Sequence, residues 1–143
     1  MNRLYRIKPR TALLTYIALD VFCVGAGMGV PIFCILLGAP VGWYIGKRTT
    51  AEDADLQLSL RKAVTYAIVT ASITFIGMAL IWGRCLVMLF DPAADLANFG
   101  IPMILYQPKA SLIGWLVLMV FISPILQFLM TLFGAQLALL RRP

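Results

Sequence analysis

Gly25-Ala26-Gly27-Met28-Gly29-Val30-Pro31 lies at the centre of an apolar stretch that runs from Thr11 to Gly46, 36 residues in all. As one helix that stretch would extend about 54 Å, well beyond the ~30 Å hydrocarbon core of a bilayer. Glycines and a proline so close together favour a turn. The stretch therefore reads as two short spans, 11–26 and 30–46, joined by a tight turn. Each half is near or below the usual minimum of about 17 residues, so length alone does not decide whether both cross.

Charge decides it. Arg3, Arg6, Lys8 and Arg10 precede the stretch. Lys47, Arg48, Arg61 and Lys62 lie in the loop that follows, and Arg141 and Arg142 near the end. With four spans these ten of the twelve basic residues share one side, with Lys109 opposite and Arg84 in or near a span. With three spans the loop and the C-terminus flip, leaving five on the inside and six outside. The positive-inside rule prefers four spans with both ends in the cytoplasm. A basic start before an apolar run also resembles a signal peptide, but Asp20 interrupts that run. A lipoprotein site is also disfavoured, because bulky Phe22 precedes Cys23 where a small residue is expected.

The composition agrees with a lipid solvent. Of 143 residues, 62% are hydrophobic and 13% charged, and the mean hydropathy is +0.92. Soluble domains average about 45–50% apolar and about 25% charged residues. The net charge of +6 follows from basic flanks on apolar runs, so no nucleic-acid partner is expected. Histidine is absent, which removes the usual catalytic base and the commonest metal ligand. Cys23, Cys34 and Cys85 show no C-x-x-C spacing. Neither a metal nor a cofactor is expected, and the whole chain, 1–143, reads as one membrane domain.

The third span is expected over 63–90. Thr49 followed by Glu52 fits a capping box, and Glu52, Asp53 and Asp55 suit a helix N-terminus, so this helix is expected to begin near Thr50. Asp91-Pro92 suggests an N-cap and a first-turn proline of a short outer helix running to Gly100. The fourth span is expected over 112–140, kinked at Pro124. Trp43, Tyr44 and Tyr66 fall at the inner boundary, and Trp82, Tyr106 and Trp115 at the outer one. They form the two aromatic belts of a four-span register.

Asp20 is the most informative residue, roughly 14 Å into the first span by helical rise. An ionisable group at such depth costs about 2.5–3.5 kcal/mol and needs a partner or water. Helical periodicity supplies partners. Thr70, Thr74, Gly77 and Arg84 form one stripe of the third span, and Ser123 and Gln127 share a face of the fourth. Tyr16, Asp20, Cys23 and Gly27 share a side of the first. Asp20, Thr70, Thr74, Ser123 and Gln127 fall at similar depth and are expected to form an intramembrane polar cluster. It reads either as a fastening between helices, with Asp20 neutral, or as a proton or cation site. Arg84 lies about 12–15 Å from Asp20 in depth and is expected at the outer interface. Gly38, Gly42 and Gly46 make a double G-x-x-x-G, a flat groove for close approach of another helix, in this chain or in another subunit. Cys23 and Cys34 flank the turn symmetrically and read as buried thiols. The acids at 52, 53 and 55 read as a solvated helix start.

These residues imply an all-α, polytopic membrane protein of four helices with a tight N-terminal hairpin, located in the plasma or inner membrane. No acid–base or nucleophilic set argues for an enzyme. The expected function is a small subunit that packs against lipid and against other membrane proteins or its own copies. The alternative is a small oligomeric channel or proton-linked transporter that uses Asp20 and the polar stripes.

Overall fold

A computed structural model describes residues 7–52, 55–98 and 106–141. Among them there are helices and turns and no strand. Helix α1 spans Pro9–Ala26, α2 Ile32–Glu52 and α3 Leu56–Met88. α4, Pro108–Leu116, continues through a π-helical segment, Val117–Ile122, into α5, Ser123–Leu140.

The α1–α2 hairpin turns over the glycine-rich stretch. Gly27 N–H closes onto the Cys23 carbonyl and Gly29 N–H onto the Val24 carbonyl, each at 3.0 Å. Met28 and Gly29 take positive φ, 52° and 85°, the left-handed conformation in which helices commonly end. Pro31 starts α2 by offering its carbonyl to Ile35 N–H at 3.0 Å. The Trp82 indole donates to the Gly29 carbonyl at 3.0 Å and ties the turn to α3.

The second loop departs from the expected capping. Thr49 lies inside α2, with its hydroxyl donating to the Ile45 and Gly46 carbonyls at 3.0 and 3.1 Å. The cap of α3 is Asp55, whose side chain accepts from Gln57 N–H at 3.0 Å. α2 continues to Glu52, with Gly46 against Ala135 and Ala138 of α5. α3 therefore begins at Leu56, not near Thr50.

The expected outer helix is also absent among the described residues after Asp91. Asp91 accepts from Ala93 N–H at 2.9 Å, an Asx turn that does not propagate. Asp95 accepts from the Asn98 side chain at 2.7 Å and its backbone at 3.3 Å. These bonds hold its exposed carboxyl below the usual range. Residues 99–105, including Gly100, lie outside the described residues.

Pro124 follows the π segment with Ser123 between them. Proline removes one hydrogen bond and crowds the carbonyl four residues back, and the wider π turn accommodates this. The Ser123 hydroxyl donates to the Leu118 carbonyl at 2.8 Å. The π segment thus lies just before Pro124, where the sequence suggests a kink.

Packing centres on α2 and α5. A Cβ at Gly38 would stand 2.8 Å from the Gln127 carbonyl oxygen, and at Gly46 2.6 Å from that of Ala135. At Gly42 it would overlap the Thr131 carbonyl, and at Gly134 that of Ala39. Ala63, Ala67, Thr70, Thr74 and Met78 form the buried stripe of α3. A second cluster gathers Cys85, Leu112 and Leu116 around Trp82 and Leu89.

Small and polar residues share the interior with Met78, Leu112 and Met119, while the exterior is large and apolar. Thr49, Ser59, Thr74, Gln127 and Thr131 are fully enclosed. Leu14, Val21, Phe22, Ile76, Leu80, Val87, Ile125, Leu129 and Phe133 are exposed. Water would penalise that surface, whereas lipid would not. Pro9–Ala26, Leu56–Met88 and Pro108–Leu140 are long and apolar enough to cross a membrane. α2 ends in Lys47-Arg48-Thr49-Thr50-Ala51-Glu52, and only its first two-thirds are strongly apolar.

Candidate functional site

Tyr16 and Asp20, one turn apart, are the two buried side chains of α1. They point at α3 and α5, where Thr70, Thr74 and Gln127 converge. Tyr16 hydroxyl is the hub. It accepts from Gln127 Nε2 at 2.7 Å and donates to the Thr70 carbonyl at 2.9 Å. It also lies 3.0 Å from Thr74 Oγ1. Thr74 hydroxyl stands 3.0 Å from both carboxyl oxygens of Asp20 and donates to them. Tyr16 to Asp20 Oδ1 is longer, 3.5 Å. From α2, the Cys34 thiol donates to the Asp20 backbone carbonyl at 3.6 Å. Side chains of α1, α2, α3 and α5 thus meet at one level.

Burial gives the cluster its energetic weight. Asp20 is 4% exposed and Gln127 0%. Hydrogen bonds between helices in an apolar medium contribute about 0.6–2 kcal/mol each. Removing one partner costs more, because the buried remnant keeps its desolvation penalty of about 1–3 kcal/mol. One atom already stands in that condition: Gln127 Oε1 is buried without a hydrogen-bond partner. Rotating the amide would hand Oε1 to Tyr16 and orphan Nε2 instead.

The five residues expected to cluster do not all meet. Asp20, Thr74 and Gln127 do, through Tyr16. Thr70 joins by its carbonyl, while its hydroxyl donates to Ala67 within α3 at 3.0 Å. Ser123 stays apart, since its hydroxyl is used on the Leu118 carbonyl in front of Pro124. Tyr16 is the member that the sequence reading left out of the site. Its i−4 spacing from Asp20 placed it on the right face, and only the tertiary arrangement makes it the hub. Arg84 is exposed, about 15 Å further along α3 than Thr74 by helical rise, and Asp20 is held by hydroxyls. The glycine groove is filled by α5 of the same chain. Cys34 is buried and Cys23 half-buried, and both are free thiols.

Among the described residues no group of three or more His, Cys, Asp or Glu comes close enough to hold a metal ion. The cluster's inventory is a threonine hydroxyl, a phenol, an amide and a carboxyl, suited to hydrogen bonding and to holding a proton. Compared with known proteins, the chain matches no family model, no curated protein and no solved structure.

Proposed function

We propose that this chain is a four-span membrane protein with both ends in the cytoplasm, and that it acts as a small packing subunit of a membrane assembly. The observation that carries the reading is the use of its polar groups. Tyr16, Asp20, Thr74 and Gln127 spend their hydrogen bonds on one another and on the backbone, linking α1 to α3 and α5. Without that latch α1 would have little to hold it, since its other side chains are exposed or half-exposed.

Partners would meet the large apolar side chains of α1 and α3, because the glycine ridge of α2 is occupied from within. Leu14, Val21 and Phe22 are each about two-thirds exposed or more. The Lys and Arg distribution supports the cytoplasmic placement of both ends. Mass determination in mild detergent, on material taken from its own membrane, tests the subunit reading. A complex heavier than the 15.8 kDa protomer is expected, and a lone protomer would contradict it.

A second reading rests on one atom. Gln127 Oε1 is an unused acceptor in the cluster that holds the buried Asp20 carboxyl, and a proton- or cation-linked transporter would keep such groups in place. Ion flux through reconstituted protein, lost in a well-assembled Asp20→Asn variant, would favour it.

A further inference from the structure

Three short oxygen–oxygen links hold the polar cluster together. Thr74 Oγ1 lies 3.0 Å from each carboxyl oxygen of Asp20. Tyr16 Oη lies 3.0 Å from Thr74 Oγ1 and 2.9 Å from the Thr70 carbonyl oxygen. Each link needs a proton between its two oxygens, and a hydroxyl has one to give. With Asp20 ionised, Thr74 gives its proton to the carboxylate and Tyr16 gives its own to Thr70. The link between Tyr16 and Thr74 then holds no proton, and two buried oxygens meet lone pair to lone pair. Gln127 does not mend this, because its Nε2 already donates to Tyr16 at 2.7 Å. Turning the amide round adds a second deficit, since Tyr16 would have one proton for both Gln127 Oε1 and the Thr70 carbonyl.

We propose that Asp20 is a proton-binding site, whose neutral carboxyl supplies the missing proton and donates it to Thr74. Thr74 is then free to donate to Tyr16, and Tyr16 to the Thr70 carbonyl. Every link holds one proton, and the chain crosses between α1 and α3 three times. The proposal rests on the reading of this cluster as a latch and names the charge state in which the latch closes. The surroundings of Asp20 agree with a neutral group. Tyr16 and Cys23 of α1, Cys34 of α2 and Thr74 of α3 face it, and α5 brings the neutral Gln127 amide through Tyr16. None of these carries a positive charge, and Arg84 is exposed, about 15 Å further along α3 than Thr74 by helical rise. A carboxylate this deeply buried, with one hydroxyl proton for two charged oxygens, would be left largely unpaired, which is costly.

The test is infrared spectroscopy of the purified full chain in lipid vesicles at neutral pH. A protonated carboxyl has a C=O stretch above the amide bands that moves down in heavy water, and a carboxylate has no such band. The parent chain should show it, and carbon-13 in the aspartate carboxyls should lower its frequency. Asp20→Asn should abolish the band while circular dichroism stays helical, because an amide N–H replaces the carboxyl O–H toward Thr74. Thr74→Val takes away the acceptor and should raise the frequency, a shift that a carboxyl merely filling space would not show. A parent chain without the band would overturn the proposal. So would a band that the label leaves in place, that Asp20→Asn leaves undiminished or that Thr74→Val does not move. The label and Thr74→Val decide the matter even where Asp20→Asn does not assemble. An Asp20→Leu variant as stable as the parent contradicts the latch itself, whereas a stable latch without the band overturns the protonated state alone.

Discussion

Asp20 is reached at ordinary hydrogen-bonding distance by one side chain, Thr74, and Thr74 in turn belongs to the Tyr16 network. The effect of changing Asp20 therefore depends on shape as well as charge. Asp20→Asn keeps an acceptor for Thr74 and should lower stability by less than about 1 kcal/mol. Asp20→Leu leaves Thr74 without its acceptor and should cost about 1–3 kcal/mol. Thermal unfolding in detergent, followed by circular dichroism, ranks the two, and an Asp20→Leu variant as stable as the parent would contradict the latch. Tyr16→Phe removes the hub while keeping the ring. It orphans Gln127 Nε2 and should also cost about 1–3 kcal/mol in the same measurement. The depth and facing of Asp20, Thr74 and Gln127 could be read from period and position in the sequence. The centrality of Tyr16 could not, because a tyrosine on a span is equally at home at an interface. Ser123 escaped for a local reason: the hydroxyl next to Pro124 has a nearer acceptor in its own helix.

The helices are set by glycine and proline at named places more than by overall hydropathy. At Gly42 a side chain would overlap the Thr131 backbone, which cannot move without separating α2 from α5. Gly42→Leu should therefore cost about 3 kcal/mol or more and disrupt the bundle, whereas Ile35→Leu in the same helix should be nearly neutral. Equal effects on unfolding midpoint would contradict the α2–α5 contact. At Gly29 the issue is backbone conformation, since a Cβ there meets only Ile81 Cγ2 at 4.0 Å. Gly29→Ala should cost about 1 kcal/mol through its positive φ alone, a modest drop in the same melt. The hairpin turn was legible because Gly25, Gly27, Gly29 and Pro31 punctuate it. The start of α3 was not, because Thr49, which could have capped it, turns its hydroxyl back onto α2. Asp91-Pro92 misled similarly: the same residues that open a helix also make a turn, and Leu96 packs against the Cys85, Leu112 and Leu116 cluster from a non-helical segment.

At the scale of the whole molecule, a large apolar exterior and three helices long and apolar enough to cross a membrane suggest lipid as the solvent, and the proposed sidedness rests on the basic residues. Lys47 donates to the Arg141 carbonyl at 3.2 Å, and both cations lie over the Trp43 ring, at 5.5 and 5.4 Å from its centre. The C-terminal ends of α2 and α5 therefore share one end of the bundle. The measurement that tests the four-span account most directly is single-cysteine labelling from each side of the membrane. A background with Cys23, Cys34 and Cys85 replaced by alanine would carry one new thiol, at exposed Ala51 or at exposed Asn98. Ala51→Cys should react with a membrane-impermeant maleimide only from the cytoplasmic side, and Asn98→Cys only from outside. Reaction of Ala51→Cys from outside in intact cells would contradict four spans with cytoplasmic ends.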